Sequence, residues 1–383
     1  MVHTIYFWCG CALTALAMVY GVIAWLATGA RMRLRPARFI VKDAPPATIL
    51  KPLCGVEPET YECLRSFCDQ AYPEFQVVFG VCDISDPAIA IVERLQREFP
   101  QRDLQISIDR RQHGSSRKVS NLINMMTLAR HDLLVLSDSD VRVQRDYLGK
   151  VAAALLETGV GIVTCPYRGR PGPGLWSLLG SMFINDWFMP SVRVAAMTGS
   201  RSFAFGATIA ISRQTLARIG GFAAIANQLA DDYRLGELTR RLGLRTVLSE
   251  VVVEICVAER SFGELLRHEL RWLRTIRLLR PLSYGFCFVT FGLPVAAVGT
   301  VLAGGAAPVI GMFAVTALAR LMLHLKVRSR SSMATQLFVL PCRDVLSIVL
   351  WSWGFVTRRV HWRDDRFLVT RDGSAARCED LAQ

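Results

Sequence analysis

The sequence lacks the cysteine spacings of zinc-binding domains. It contains eleven cysteines but no CxxC pair, and its close pairs are Cys9 with Cys11 and Cys63 with Cys68. An odd, irregularly spaced set in a chain of 383 residues indicates reduced thiols in a cytosolic compartment rather than a disulfide framework. No zinc-finger or RNA-binding signature accompanies the formal net charge of +13, so we expect no nucleic acid partner.

Internal repeats and low-complexity tracts are absent too, whereas long apolar runs are present towards both ends of the chain. The first run, Ile5 to Ala30, is long enough to cross the ~30 Å hydrocarbon core of a bilayer. Only His3 precedes it, and the basic residues follow it at positions 31–42. This order predicts a retained anchor (residues 1–30) rather than a cleaved signal peptide, with the next domain in the cytoplasm.

A second apolar block occupies residues 285–357. Two membrane spans are predicted near Phe286–Gly304 and Ala307–Leu325, and the two crossings together return the chain to the cytoplasm. The third stretch, Gln336–Val356, carries Arg343 and Asp344 near its middle, and an unpaired charge at that depth costs roughly 2.5–3.5 kcal/mol. We therefore favour a re-entrant or interfacial hairpin there over a full crossing, followed by a basic cytoplasmic tail (residues 358–383).

The middle of the chain, residues 41–260, alternates short β-rich runs with helix-like stretches, which predicts an α/β sheet flanked by helices. The predicted strands are Ala47–Leu50, Phe75–Cys82, Leu104–Ile108, Leu133–Ser137, Val160–Thr164 and Ala207–Ile211. The predicted helices are Pro58–Asp69, Pro87–Phe99 and Asn121–Leu128. Because ligands of open α/β sheets bind beyond the carboxyl ends of the strands, the polar residues after each run are the candidate site.

Two pairs of carboxylates follow predicted strands. Asp83 and Asp86 come after Phe75–Cys82, and Asp138 and Asp140 come after Leu133–Ser137. Two carboxylates one residue apart direct oxygen ligands towards a hard divalent ion such as Mg²⁺ or Mn²⁺, which bridges a diphosphate and neutralises a leaving group. The alternative for such a pair is a solvated turn.

Three further segments have both a structural and a functional interpretation. Asp231-Asp232 opens a helical stretch, where a carboxylate either caps the helix or serves as a general base. Lys118 and Asn121 begin another helix after a Gly-Ser-Ser-Arg loop, which gives either a diphosphate site or a basic cap. Lys51-Pro52 is either a plain strand end or a fixed loop beneath a nucleotide.

A basic amphipathic segment, residues 261–284, precedes the second apolar block. Arg267, Arg271 and Arg274 share one face of the helix predicted over Phe262–Leu282. Such a helix either lies on anionic headgroups or, through Arg271-Trp272, supplies a guanidinium for phosphate and a flat wall for an acceptor.

Taken in order, these motifs resemble those of the ceramide glucosyltransferase family of inverting GT-A-fold glycosyltransferases, and most of all its bacterial hopanoid-biosynthesis-associated branch. Each motif is weak alone, and it is their order along the chain that is specific. The motifs are Lys51-Pro52-Leu53, Asp83/Asp86-Pro87, Lys118-x-x-Asn121, Asp138-x-Asp140, Asp231-Asp232-Tyr233 and Arg271-Trp272.

The resemblance implies a role for each matched residue. Asp83 and Asp86 hold the uracil and ribose of the donor, and Asp138 and Asp140 hold the nucleotide with its Mg²⁺ or Mn²⁺. Asp232 is the general base. Donor contacts are further expected at Lys51, Pro52, Lys118 and Asn121.

The helix motif departs from the pattern of the family. In place of (Q/R)xxRW the chain has His268 ahead of Arg271 and Trp272. Either His268 takes the role of the usual Gln or Arg, or the preceding Arg267 does so after a small helical shift.

The function implied is an inverting transfer of sugar from a UDP-sugar to a lipid hydroxyl at the cytoplasmic face of a bacterial inner membrane. The favoured reaction moves N-acetylglucosamine onto a bacteriohopane polyol. The alternatives are glucosylation of ceramide by UDP-glucose, a processive polysaccharide synthase, for which the chain has few membrane spans, and a non-catalytic membrane scaffold.

Overall fold

The protein is described by a computed structural model that covers residues 1–29, 44–200, 203–328 and 333–356 in full. Beyond these, the backbone is described for three strands within residues 359–377. The basic residues expected at positions 31–42 and most of the predicted tail therefore lie outside the described residues.

The helices and strands are numbered in chain order. The helices are α1 (Val2–Gly29), α2 (Thr60–Cys68), α3 (Ala88–Glu98), α4 (Arg117–Met125), α5 (Tyr147–Leu155), α6 (Leu175–Met182), α7 (Met189–Met197), α8 (Arg213–Arg218), α9 (Asp231–Arg241), α10 (Phe262–Leu279), α11 (Pro281–Phe286), α12 (Gly292–Leu302), α13 (Ala307–Val327) and α14 (Met333–Trp353). The strands are β1 (Ala47–Pro52), β2 (Phe75–Val81), β3 (Asp103–Ile108), β4 (Leu133–Leu136), β5 (Val141–Arg142), β6 (Val160–Thr164), β7 (Tyr167–Pro171), β8 (Ile209–Ser212), β9 (Arg245–Leu248), β10 (Val253–Val257), β11 (Arg359–Trp362), β12 (Asp365–Val369) and β13 (Ala375–Arg377). A π-helical segment, Phe183–Phe188, joins α6 to α7, and 3₁₀ turns cover Phe222–Ile225 and Cys287–Thr290.

The described residues fall into two compact units. The membrane unit comprises those within Met1–Arg31, Gly169–Ser200 and Glu259–Asp372. The sheet unit comprises those within Met32–Arg168, Arg201–Ala258 and Gly373–Gln383.

The sheet unit is built on seven strands in the order β3-β2-β1-β4-β8-β6-β9. β1 pairs in parallel with β2 and β4, β2 pairs in parallel with β3, and β6 pairs in parallel with β9, while β8 runs antiparallel between β4 and β6. β2 and β4 are buried along their whole length, which explains their near-continuous apolar runs. The expectation of a mostly parallel α/β sheet flanked by helices is confirmed.

Helix α4 packs closely on the sheet at a glycine. The Asn121 side-chain amide donates a 2.8 Å hydrogen bond to the Gly80 carbonyl on β2. A Cβ at Gly80 would lie 2.3 Å from Asn121 Oδ1 and 2.4 Å from Met125 Sδ. Only glycine permits this approach, which fixes the start of α4 near the carboxyl end of β2.

In the membrane unit, α1 and α12 cross with their backbones in contact. A Cβ at Gly10 would lie 2.4 Å from the Gly299 carbonyl oxygen, and one at Gly299 would lie 2.4 Å from Thr14 Oγ1. Small residues at such a crossing let two apolar helices approach through van der Waals contact where lipid removes the hydrophobic driving force.

Within the part of the chain that the structure describes, three helices are long and apolar enough to span a membrane: α1, α13 and α14. The span predicted near Phe286–Gly304 falls on a bent pair of helical segments, Pro281–Thr290 with Gly292–Leu302, at an angle of 74°. The hairpin predicted over Gln336–Val356 is wrong as a conformation, because α14 is one continuous helix with Pro341 inside it.

The charges that argued against a continuous helix are paired within the unit. Arg343 donates two 2.7 Å hydrogen bonds to the Glu269 carboxylate on α10. Asp344 accepts from Arg320 on α13 at 2.7 Å. Because each charge has a partner, placing it at this depth costs less free energy than placing an unpaired charge there.

Candidate active site

The candidate site of the sheet unit begins at the carboxyl ends of β1 and β4. Lys51, near the end of β1, is fully buried, and its ammonium donates to the Asp138 carbonyl and, at 3.4 Å, to Ser137 Oγ. Burial lowers the pKa of Lys51 to about 8, against the opposing effects of Cys63 and Asp140. In this structure Lys51 holds the backbone of the Asp138–Asp140 loop in place.

Lys118 links the loop after β4 to the start of α9. Its ammonium lies 2.7 Å from Asp138 Oδ1 and 3.0 Å from Asp231 Oδ2. Although burial acts to lower it, the pKa of Lys118 is raised because Asp138 and Asp231 favour the charged form. The helix carrying Lys118 starts at Ser116, whose hydroxyl accepts from the Val119 N–H.

Asp140 contributes negative charge that its surroundings compensate poorly. Burial raises its pKa to about 7, and the neighbouring carboxylates of Asp138 and Glu57 add to the increase. The Asp140 carbonyl accepts a 2.9 Å hydrogen bond from the Cys256 N–H, which fixes the loop. The loop after β4 therefore brings the side chains of Asp138 and Asp140 together, and the surroundings of Asp140 stabilise its charged form poorly.

Asp232 lies in the same place but has a different set of partners from Asp231. Its Oδ2 accepts a 2.8 Å hydrogen bond from the Gly206 N–H and its Oδ1 accepts one of 2.7 Å from the Tyr233 N–H. Burial raises the pKa of Asp232 to about 6, and Asp231 adds to this while Lys118 opposes it. Asp231 bonds the Lys118 cation directly, whereas Asp232 makes no such pair among the described ion pairs, so Asp232 is the better candidate for the base.

Sequence reasoning missed Gly206, which lies among these charged groups. A Cβ at this position would be 3.0 Å from Asp138 Oδ2, 3.3 Å from Lys118 Nζ and 3.6 Å from Asp232 Oδ2. The absence of a side chain leaves room for the charged groups to converge. An isolated glycine such as Gly206 produces no periodic pattern in the sequence, so nothing marked this position as part of a site.

Asp83 and Asp86 follow β2 as predicted but have unequal environments. Asp86 accepts from the backbone N–H groups of Gly55 and Ala88, so it joins the loop after β1 to the first residue of α3. Asp83 is half-exposed and pairs with Arg110 at 2.8 Å. Hydrogen bonds, first from the Ser85 backbone, lower the pKa of Asp83 to about 2. A donor contact is sterically open to Asp83, whereas Asp86 is occupied with the backbone.

The HxxRW residues belong to the membrane unit, on α10. His268 Nδ1 lies 2.5 Å from Glu259 Oε1, and the imidazole meets the Trp272 ring edge to face at 5.3 Å. Of the two residues considered for the altered motif position, His268 is therefore the one oriented beside Trp272. Glu259, nine residues earlier, was not predicted as a partner, because no helical periodicity connects it to α10.

The residues after β4 meet the requirement of a divalent ion only in part. Among the described residues no group of three or more His, Cys, Asp or Glu side chains is placed to hold a metal. Asp138 and Asp140 nevertheless supply two carboxylates, and Mg²⁺ commonly takes one or two carboxylates and completes its shell with substrate phosphates and water. The poorly compensated charge of Asp140 is consistent with such a site.

A mostly parallel sheet with paired carboxylates, a lysine and a candidate base at its carboxyl edge defines the class of nucleotide-sugar glycosyltransferases with a GT-A-like fold. The chain belongs to glycosyl transferase family 21, which it matches over residues 10–375. The expectations of a ceramide glucosyltransferase-like family and of a glycosyltransferase are thereby confirmed.

Curated relatives carry the name ceramide glucosyltransferase. The chain is 28% identical over 173 residues to the one from Gibberella zeae. The aligned residues cover 42% of this chain and 32% of the relative. It is 22% identical over 236 residues to ceramide glucosyltransferase 3 of Caenorhabditis elegans. Those aligned residues cover 60% of this chain and 50% of the relative. The chain thus spans half or less of the length of these relatives.

The fold is similar to that of a solved mannosyltransferase from Pyrobaculum calidifontis, in complex with GDP-Man and Mn²⁺. The TM-score is 0.57 at 19% identity, and the match covers 93% of this chain and all of the other. At this identity the likeness supports the fold.

Proposed function

We propose that the protein is a membrane-bound inverting glycosyltransferase that moves a sugar from a UDP-sugar to a lipid hydroxyl. The observation that carries the proposal is the convergence of Lys118, Asp138 and Asp232 at the carboxyl edge of the sheet, around the space at Gly206. A cation, a metal-binding carboxylate and a base are the three elements that displacement of a nucleoside diphosphate requires.

In the proposed reaction Asp232 accepts the proton of the acceptor hydroxyl as the oxygen attacks the anomeric carbon. Asp232 suits this role because it is ionised at neutral pH and makes no direct ion pair with Lys118 among those described. Lys118 provides positive charge for the diphosphate, and Arg271 is proposed to add a guanidinium. A bound Mg²⁺ or Mn²⁺, held by Asp138 and Asp140, would neutralise charge on the leaving group.

Ceramide with UDP-glucose is the acceptor and donor pair we propose to test first. The support is the name shared by the curated relatives, which favours this alternative over the hopanoid reaction preferred from the sequence. Nothing in the comparisons supports N-acetylglucosamine transfer to a hopanoid. The three apolar helices support membrane association, and we further propose the bacterial inner membrane with the sheet unit on its cytoplasmic side.

The proposal is tested by product formation with the detergent-purified full chain. UDP-glucose and UDP-N-acetylglucosamine are each combined with ceramide and with a bacteriohopane polyol, with Mn²⁺ or Mg²⁺, and the lipids are analysed by mass spectrometry. Glucosylceramide supports the pair proposed. A hexosamine-bearing hopanoid overturns that pair but retains the reaction class, and the absence of any lipid product overturns lipid glycosylation with these acceptors.

A further inference from the structure

A cluster of ionisable side chains lies within the membrane unit. Arg320 on α13 contacts Asp344 on α14 at 2.7 Å and Asp186 at 3.1 Å. His324, one turn beyond Arg320, lies 2.7 Å from the same Asp186 oxygen. We refer to these four residues as the Arg320 cluster. Ionisable side chains on helices of this kind are costly and mark functional sites by default.

The backbone around the Arg320 cluster is irregular. Asp186 lies in the π-helical segment Phe183–Phe188, and such segments occur frequently at functional sites. The bend between Cys287–Thr290 and α12 lies alongside, at Phe291. Irregular backbone at membrane depth is tolerated where it is buried in protein or lines a polar cavity.

The Arg320 cluster leaves hydrogen-bonding capacity unused. Asp186 Oδ1, Arg320 Nη1 and His324 Nε2 are buried and have no hydrogen-bond partner among the described residues. Asp186 is 6% exposed and His324 is fully buried. A buried donor and a buried acceptor left unpaired are unfavourable, and one hydroxyl group satisfies both because it donates to Asp186 while accepting from Arg320.

A small cavity is lined by two of these residues, Asp186 and Arg320. Its volume is about 20 Å³, and it is lined by Asp186, Trp187, Thr290, Gly292, Arg320 and Ser347, among others. This space admits one hydroxyl or amide group or one water molecule. It is too small for a sugar ring or a phosphate.

The charges around the cavity favour a neutral ligand. Arg320 and Arg343 are balanced by Asp186 and Asp344, and Glu269 adds a further carboxylate through its bidentate pair with Arg343. With no excess of positive charge, the cavity offers no anion site. A neutral group that both donates and accepts is the better match.

We propose that this cavity binds a neutral hydroxyl or amide group of the lipid acceptor, separate from the hydroxyl that receives the sugar. The inference rests on the proposed lipid glycosylation and names the part of the acceptor that the membrane unit recognises. A lipid with such a second polar group gains hydrogen bonds to Asp186 and Arg320 that a simple long-chain alcohol cannot make.

The test compares two acceptors and three variants of the full chain in mixed micelles. Ceramide carries an amide and a second hydroxyl, whereas octadecanol carries only a primary hydroxyl. Ser347→Val narrows the cavity, Ser347→Ala removes the same hydroxyl without filling the space, and Ser352→Val places the same substitution at an exposed position of α14. The acceptor KM, the rate of UDP-glucose hydrolysis without acceptor and the thermal midpoint are measured for each.

The native protein should show a KM for ceramide at least about tenfold below that for octadecanol. Ser347→Val should reduce this advantage several-fold while donor hydrolysis stays unchanged, and Ser352→Val should retain it. Both Ser347 variants lose the hydroxyl that accepts hydrogen bonds from Arg343, so their thermal midpoints should fall together. Equal KM values for both acceptors in the native protein overturn the inference, and this comparison decides the matter even if Ser347→Val does not fold. The inference is also overturned if Ser347→Ala reduces the KM advantage of ceramide as much as Ser347→Val does, or if neither variant reduces it. Either result assigns the cavity to water. Transfer to both acceptors with no preference leaves the proposed function standing while the inference fails.

Discussion

Lys118 Nζ lies 2.7 Å from Asp138 Oδ1, and this ion pair joins the start of α4 to the loop after β4. The backbone carbonyl of the same residue, Asp138, accepts a hydrogen bond from the buried ammonium of Lys51. The position of Asp138 is therefore fixed by two lysines that come from different elements of the sheet unit. A carboxylate fixed in this way is preorganised for a metal-bound diphosphate.

The carboxylates after β4 are predicted to carry metal-dependent donor binding. Asp138→Ala and Asp140→Ala should each weaken Mn²⁺-dependent UDP binding at least about tenfold, or ~1.4 kcal/mol, because each removes an oxygen ligand. Calorimetric titration of UDP with and without Mn²⁺ measures the change. Asp146→Ala is the matched control, since Asp146 is exposed and pairs only with Lys150 among the described ion pairs. Unchanged affinity in both site variants would make the DxD segment a plain turn.

Asp232 is predicted to be the general base. Asp232→Asn should keep its hydrogen bond from the Gly206 N–H and bind UDP normally, yet lose about 10²–10⁴-fold in the rate of sugar transfer. Single-turnover transfer and UDP affinity are the two measurements. Asp132→Asn, at an exposed position before β4, is the matched control. Normal turnover by Asp232→Asn would remove Asp232 from this role.

The rate should also depend on pH through the same carboxyl group. With a pKa of about 6, Asp232 is protonated and unable to accept a proton below that pH, so kcat/KM should rise with pH up to about 6 and then level off. Because Asp231 contributes to the raised pKa, Asp231→Asn should shift the inflection to lower pH. The pH profile of kcat/KM for both proteins checks this, and an inflection that stays in place in Asp231→Asn contradicts the assignment.

Glu259 is predicted to act through His268 as a positioning residue. With Nδ1 bound to Glu259, the His268 ring is held in one orientation beside Trp272. Glu259→Gln should lower kcat/KM about tenfold in the native background, by analogy with carboxylates that orient catalytic imidazoles. In the background of His268→Gln, which restores the residue type usual in the family, Glu259→Gln should cause no further loss of kcat/KM.

The double-mutant cycle separates positioning from folding. A coupling energy of more than about 1 kcal/mol between the two positions supports the prediction. Equal losses in both backgrounds, accompanied by a lower thermal midpoint, would show instead that Glu259 supports the fold.

Uniform burial made two of the strands readily predictable from the sequence. Leu133–Leu136 is apolar throughout and Phe75–Val81 is apolar except for Gln76, because neighbouring strands and helices cover both faces. Tyr167–Pro171 and Arg245–Leu248 were not predicted, since their charged residues interrupt the apolar pattern. The helix expected over Asn121–Leu128 starts earlier because the Ser116 cap, and not the apolar period, sets its first turn.

The candidate site was predictable where a charged side chain follows a strand, as for Asp138. It was not predictable where its geometry depends on partners distant in sequence. The space at Gly206 and the carboxylate of Glu259 come from tertiary packing, which no local pattern records. The same applies to α14, where the pairing of Arg343 reverses the expectation drawn from its charge.

The pair of Arg343 and Glu269 yields a prediction about stability. Both side chains are almost fully buried, at 1% and 3% exposure, and two parallel hydrogen bonds of 2.7 Å join α14 to α10. Glu269→Ala leaves a buried guanidinium without its carboxylate and should lower the free energy of unfolding by about 3–5 kcal/mol. The double variant Glu269→Leu with Arg343→Leu removes both charges and should recover most of that loss, because desolvation offsets much of what a buried ion pair contributes. Unfolding in mixed micelles measures both variants, and a double variant no more stable than Glu269→Ala would show that apolar packing cannot replace the pair.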